Sequence, residues 1–175
     1  MKKVAVIVGS LRKDSSNKKL AKTFESLAAD KLEFNYVDVN LPLFNEDIES
    51  NPGQAVEAAR KVVADADVVL MITPEYNRGI TGVLKNAIDW LSRPYAAGVI
   101  QGKPVAIAGV SGGTLGTGPA QAGLRGIVGY LNMPLMGQPE FYLNAHAEDF
   151  NEDGILKETS HAQKYVDALT AFANK

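Results

Sequence analysis

A chain of 175 residues, 46% of them hydrophobic, has the size and apolar content of one domain with an ample core, so a single unit over residues 1–175 is expected. The absence of cysteine excludes disulfides, iron–sulfur clusters, cysteine-ligated zinc and thiol nucleophiles, and 18 basic residues scattered among 20 acidic ones form no basic face for nucleic acid. The short apolar stretch after Met1, Lys2 and Lys3 falls below the length of a signal peptide or a membrane span, which makes a cytoplasmic protein without membrane contact the expectation.

Residues 4–8 are an apolar run that reads as a first strand. Residues 9–17, G-S-L-R-K-D-S-S-N, separate it from an amphipathic segment whose Leu20, Phe24, Leu27 and Ala28 share one helical face. This strand-to-helix loop carries hydroxyls at Ser10, Ser15 and Ser16, the amide of Asn17, the guanidinium of Arg12 and the free N–H groups of a helix start. Together they describe a socket for an anion, with phosphate the first choice. The loop has one glycine and matches neither the P-loop nor the dinucleotide fingerprint. In the alternative reading Ser15 or Ser16 only caps the helix, worth about 1 kcal/mol, and Arg12 is solvated.

Leu32, Phe34 and Tyr36 alternate with polar residues, as in a half-buried strand at the periphery of a sheet. An irregular segment, 40–50, follows, and Asn51 and Pro52 then predict the N-cap and first position of a helix running through Val56, Ala59 and Val63. Residues 68–72 are continuously apolar, the pattern of a central strand covered on both faces. A turn-rich loop, P-E-Y-N-R-G-I-T-G at 74–82, precedes a helix with Leu84, Ile88 and Leu91 on one face. Residues 104–110 predict a fourth strand, S-G-G-T-L-G-T-G at 111–118 a glycine loop, and Pro119 the start of a helix with Leu124, Ile127, Val128 and Leu131. Residues 134–139 are the fifth strand candidate, and a polar loop containing His146, Glu148 and Asp149 leads to a last helix over 158–174.

Alternating strands and helices with right-handed crossovers give an α/β fold, a parallel sheet with helices on both faces. For five strands the doubly wound order is 2-1-3-4-5, and ligands sit outside the carboxyl ends of the strands at the switch point. That order demands unusual chemistry in the loops after strands one, three and four, and these are the three loops already singled out. The first suits a phosphate. The second offers Pro74, Tyr76 and the polar edges of Glu75 and Asn77, and the third offers glycine backbone. A ligand with a phosphate tail and a large flat polar ring uses all three, and FMN has that shape. Taken singly, the second loop also reads as an ordinary turn and the third as a flexible connector.

Three segments carry a resemblance: 9–17, the stretch T-P-E-Y-N-R-G-I-T-G-V-L-K-N-A-I-D-W at 73–90, and S-G-G-T-L-G-T-G from Ser111. In these the chain resembles the NADPH-dependent FMN reductases, which include the small quinone, azo and chromate reductases of bacteria, nearly end to end and fading after about Phe141. The resemblance implies a flavodoxin-like fold, non-covalent FMN, NADPH or NADH as hydride donor, a small-molecule acceptor such as a quinone, azo compound or free flavin, and a homodimer or homotetramer. It assigns Ser10, Arg12, Ser15 and Asn17 to the FMN phosphate, Pro74, Glu75, Tyr76 and Asn77 to the ring edge and ribityl chain, and Ser111, Gly112 and Gly113 to the other side. Lys85, Asn86, Asp89 and Trp90 are assigned to helix packing and a dimer contact. Thr81 stands where the family often has proline, which leaves the rigidity of that loop and the acceptor preference open. No side chain is required as an acid or base, so no catalytic residue and no metal ligand is named.

Two rival readings have residues behind them. G-V-S-G-G at 109–113 satisfies the G-x-S-x-G nucleophile pattern, with Asp149 or Asp153 and His161 downstream, which would make Ser111 the nucleophile of a serine hydrolase. Against it, Thr114 to Gly118 intervene before the helix and no H-G-G-G stretch exists, so His146 and His161 read as surface residues. A flavodoxin-type electron carrier is the second rival, but carriers that dock by charge need a field of one sign, and a net charge of −2 does not supply one.

Overall fold

In the computed structural model, which describes Met1–Lys175, the apolar runs of the sequence become the three inner strands of one parallel sheet: β1 (Lys2–Val8), β3 (Val68–Ile72) and β4 (Val105–Ser111). Alternating β2 (Leu32–Tyr36) takes the edge beside β1, and β5 (Tyr142–Asn144) the opposite edge beside β4. The order is β2-β1-β3-β4-β5, as the loop chemistry demanded. Five helices cover the sheet: α1 (Ser16–Ala28), α2 (Gln54–Ala64), α3 (Gly82–Leu91), α4 (Gly118–Tyr130) and α5 (Ser160–Ala173).

Because side chains alternate across a strand, each inner strand feeds two cores. Val4, Val6, Leu70 and Ile72 pack with Leu20 and Phe24 of α1 and Tyr165, Val166 and Leu169 of α5. Ala5, Ile7, Val69 and Met71 face Val63 of α2, Leu84 and Ile88 of α3 and Leu124 and Val128 of α4. Leu27, expected on the buried face of α1, is only partly covered. The Tyr165 ring stacks on Phe24 and meets Phe141 edge-on, and its hydroxyl, the one polar side-chain atom of the trio, donates to the Ile107 carbonyl at 2.8 Å. Burial pushes its pKa up, so the phenol stays a donor.

Two boundaries differ from expectation for identifiable reasons. α2 begins at Gln54, not at Pro52, because Gly53 at the N-cap has φ 86°, a left-handed conformation that no helix continues through, and the Asn51 N–H is already bound to the Ile48 carbonyl. The fifth strand lies at 142–144, not within 134–139. Pro134 and Pro139 lack the N–H that a ladder needs, and Gly137 sits between them. Leu135 therefore makes only an isolated bridge to Val105 at the foot of β4, and regular pairing resumes at Gly109 with Tyr142.

The carboxyl ends of β1, β3 and β4 are drawn together by close backbone approaches. The Gly9 N–H donates to the Ile72 carbonyl at 2.8 Å, and the Thr73 N–H to the Ala108 carbonyl at 3.0 Å. A Cβ on Gly109 would collide with the Thr73 carbonyl and the Thr117 hydroxyl, so only glycine fits there. Thr81 is the N-cap of α3: its Oγ1 accepts from the Leu84 N–H at 3.2 Å and donates to the Gly9 carbonyl at 2.8 Å. The loop that the sequence left open in rigidity is thus tied by hydrogen bonds where the family often uses a proline ring. Asn86 and Trp90 anchor the segment crossing α3, with Asn86 Oδ1 accepting from the Phe44 N–H and both side chains donating to the Pro42 carbonyl.

Thr81→Val keeps the shape and removes both bonds, stranding a buried carbonyl and a helix-start N–H. It is expected to cost about 2 kcal/mol in urea unfolding, while Thr81→Ser costs little. A second prediction concerns acid. The Asp67 carboxylate accepts from the Lys3 N–H at 2.8 Å and from Lys2 Nζ at 2.9 Å, and these bonds, the backbone one foremost, hold its pKa below the usual carboxylate range. Their contribution is complete above the unfolded value of about 3.9 and is lost as pH falls through the lower folded value. Asp67→Asn is expected to lower the urea midpoint at neutral pH and to match the unsubstituted protein once the carboxyl is protonated. An equal deficit at both ends contradicts this.

Candidate flavin-binding crevice

α1 starts at Ser16, after the loop that follows β1, and its N-terminal turn is left open. Ser15 occupies the N-cap with extended backbone, φ −71° and ψ 124°, yet its side chain makes no capping bond. The first bond of the helix runs from the Lys19 N–H to the Ser15 carbonyl, so the N–H groups of Ser16, Asn17 and Lys18 have no acceptor within it. Ser10 and Ser15 are buried, and Arg12 is exposed with no carboxylate paired to its guanidinium. The reading of Ser15 or Ser16 as a mere cap therefore lacks its hydrogen bond.

Ser10, Arg12, Ser15, Ser16 and Asn17 from the first loop, Pro74, Glu75 and Tyr76 from the second, and Ser111 and Gly112 from the third line one crevice of about 160 Å³. Val110 completes its wall, a residue that the sequence did not single out. Asn77 and Gly113 lie outside the lining. Asn77, with φ 53°, and Arg78, with φ 65°, form the two central positions of a tight turn closed by reciprocal bonds between Tyr76 and Gly79 at 3.1 and 3.0 Å. Such a turn is normally filled by Asn-Gly, and the left-handed Arg78 is held by its ion pair with Glu75 at 3.2 Å.

Two polar side chains are engaged in ways that the sequence did not show. The Asn17 amide spans the crevice floor: its Nδ2 donates to the Val110 carbonyl at 2.8 Å and its Oδ1 accepts from the Val110 N–H at 3.0 Å. What Asn17 retains for an anion is its backbone N–H. Glu75, nearly buried, accepts from the Ala120 N–H in the first turn of α4 at 3.0 Å as well as from Arg78. A carboxylate in a crevice otherwise fit for an anion is thereby neutralised by a helix N-terminus and a guanidinium. Neither partnership follows a short-range pattern, since they join residues 93 and 45 positions apart.

The glycine loop is shaped by close contact. A Cβ on Gly112 would stand 2.9 Å from Cε1 of His146, so the imidazole lies against the loop. Ser111 ends β4 rather than sitting on a strand-to-helix elbow, its Oγ accepts from the Gly113 N–H at 3.2 Å, and α4 begins only at Gly118. His161 packs on the Phe141 ring, 4.7 Å between centroids. The hydrolase reading has no relay to stand on. No helix is long and apolar enough to cross a membrane.

The family model described as NADPH-dependent FMN reductase matches residues 2–148. A 2-hydroxy-1,4-benzoquinone reductase of Burkholderia is 46% identical over 175 residues, 97% of this chain and 95% of that one. A quinone reductase of Pseudomonas putida is 42% identical, covering 97% and 93%. The solved structure of the flavoenzyme NAD(P)H:(acceptor) oxidoreductase FerB from Paracoccus denitrificans superposes with a TM-score of 0.93 at 40% identity over 99% of this chain and 98% of that one. A flavodoxin of Pseudomonas aeruginosa, 17% identical with a TM-score of 0.61, shares the fold alone. With its three crevice loops inside the matched residues, the chain belongs to the NADPH-dependent FMN reductase family.

Proposed function

We propose that the crevice holds FMN non-covalently, and that the chain oxidises NADPH or NADH and reduces a small acceptor of the quinone, azo or free-flavin class. The single observation that carries this reading is the uncapped N-terminus of α1, opening into a crevice shared by the loops after β1, β3 and β4. The N–H groups of Ser16 and Asn17, the hydroxyls of Ser10, Ser15 and Ser16 and the Arg12 guanidinium take the phosphate. Pro74, Glu75 and Tyr76 follow one edge of the ring, with Asn77 in the turn behind them, and Ser111 and Gly112 the other, with Gly113 next in the loop. Bound FMN supplies the two-electron chemistry that links nicotinamide to acceptor.

The chain's own part is positioning. Tying Glu75 to α4 keeps a carboxylate from competing with the anion, and Gly112 leaves room for the His146 imidazole, which a Cβ would meet at 2.9 Å. The reading asks no acid or base of the chain, because the reactive atoms lie in cofactor and substrates. Relatives named as quinone reductases at 46% and 42% identity support the acceptor class. The same reading takes residues 1–175 as one domain, working in the cytoplasm as a homodimer or homotetramer through the α3 surface, where Lys85 and Asp89 are paired at 2.7 Å and partly exposed.

Arg12→Ala is expected to weaken FMN binding about tenfold to a hundredfold, the loss of one charge-assisted bond worth roughly 1.5–3 kcal/mol, whereas Lys13→Ala changes it little. Riboflavin, which lacks the phosphate, binds both variants and the unsubstituted protein alike. Fluorescence-quenching titration reads all of these affinities. A fall in riboflavin affinity equal to that of FMN makes Arg12 a structural residue and removes the phosphate from this loop.

A further inference from the structure

A second hollow, about 440 Å³, lies on the far side of the first loop from the crevice and shares Ser10 with it. It falls in the usual volume range of a small-molecule site. Its walls are Val8 and Leu11 on one side and Val37 and Val39 on the other, at the carboxyl ends of β1 and β2. Leu11, 53% exposed, has no burial to explain it. Apolar walls this close to a polar crevice suit one flat face of a heteroaromatic ring.

The charged groups around the hollow divide by whether they are already engaged. Lys22 Nζ donates to the Asp153 carbonyl at 2.7 Å, and Glu25 accepts from the Tyr36 hydroxyl at 2.7 Å. Lys18, one helical turn before Lys22, lines the hollow with no partner for its ammonium. Asp38 stands two residues past the end of β2. Its Oδ1 accepts from the Asn40 N–H at 2.9 Å, which orients the carboxylate and leaves Oδ2 to a ligand. A carboxylate oxygen with no partner can accept from a ribose 2′-hydroxyl, and its charge repels a 2′-phosphate.

We propose that this hollow holds the adenosine end of the reduced nicotinamide dinucleotide, with the ring between Leu11 and Val39, the pyrophosphate toward Lys18, and Asp38 on the ribose hydroxyls, so that NADH is preferred to NADPH. The inference rests on the reading of the crevice as the flavin site, to which Ser10 connects it. It identifies which end of the donor the chain itself grips and which residue sets donor choice.

The test uses FMN-loaded protein and three donors: NADH, NADPH and reduced nicotinamide mononucleotide, which lacks the adenylate. ADP-ribose is expected to bind by calorimetry, to compete with NADH and to leave FMN in place. Asp38→Ser, at an exposed position where serine still accepts from Asn40, is expected to lower the NADH to NADPH ratio of kcat/KM about tenfold. Leu11→Glu, also exposed, is expected to weaken ADP-ribose binding and to raise KM for NADH relative to the mononucleotide. ADP-ribose that neither binds nor competes, or an Asp38→Ser variant that shifts NADH and NADPH by the same factor, overturns the proposal. Oxidation of the mononucleotide alongside either result leaves the flavin reading standing, whereas protein that oxidises none of the three donors overturns both.

Discussion

The structure depends on the two hydrogen bonds between the Asn17 amide and the Val110 backbone. They join the first turn of α1 to the last residues of β4 across the switch point, where a doubly wound sheet has no covalent reason to keep its halves in register. Each buried backbone group left unpaired costs about 1–3 kcal/mol, so an amide that satisfies a donor and an acceptor at once is a strong constraint. Thr81 does the same between the first loop and α3 through the Gly9 carbonyl. Close packing at Gly109 and at Gly9, where a Cβ would meet Thr81 Oγ1 at 2.9 Å, leaves the loops little room to separate. The crevice is rigid because its walls share backbone partners.

That rigidity has an electrostatic purpose in the proposed function. An open helix start attracts anions within its first turn, and an unpaired guanidinium adds to the field. A loose Glu75 would cancel much of it. Its two engagements, with the Ala120 N–H and with Arg78, turn a liability into a second link, this time between the loop after β3 and the start of α4. The left-handed backbone at Asn77 and Arg78 is the local cost of presenting Glu75 inward while Tyr76 stays 59% exposed at the rim.

Much of this was legible in the sequence because it rests on short-range patterns. The continuous apolar run at 68–72 and the alternation at 32–36 told inner from edge strand, and the strand order then forced three loops to one place. The fifth strand was misplaced because 134–139 is apolar enough to pair but carries two prolines, and only the pairing partner shows where the ladder resumes. The engagements of Asn17, Glu75 and Thr81 were not legible, since each links residues far apart in the chain and a polar side chain in a loop looks the same whether it binds a ligand or the backbone. The hollow beside Asp38 was hidden for the same reason: its walls come from α1, the end of β1 with the first loop, and the end of β2 with the segment after it.

The most direct test of the central claim is the anaerobic absorbance spectrum of the purified protein, titrated with FMN and then with NADH. Flavin bands that saturate at one FMN per chain and bleach on adding one equivalent of NADH are the predicted result. Protein that takes up no FMN, or that holds FMN and stays yellow under excess NADH and NADPH, contradicts the account.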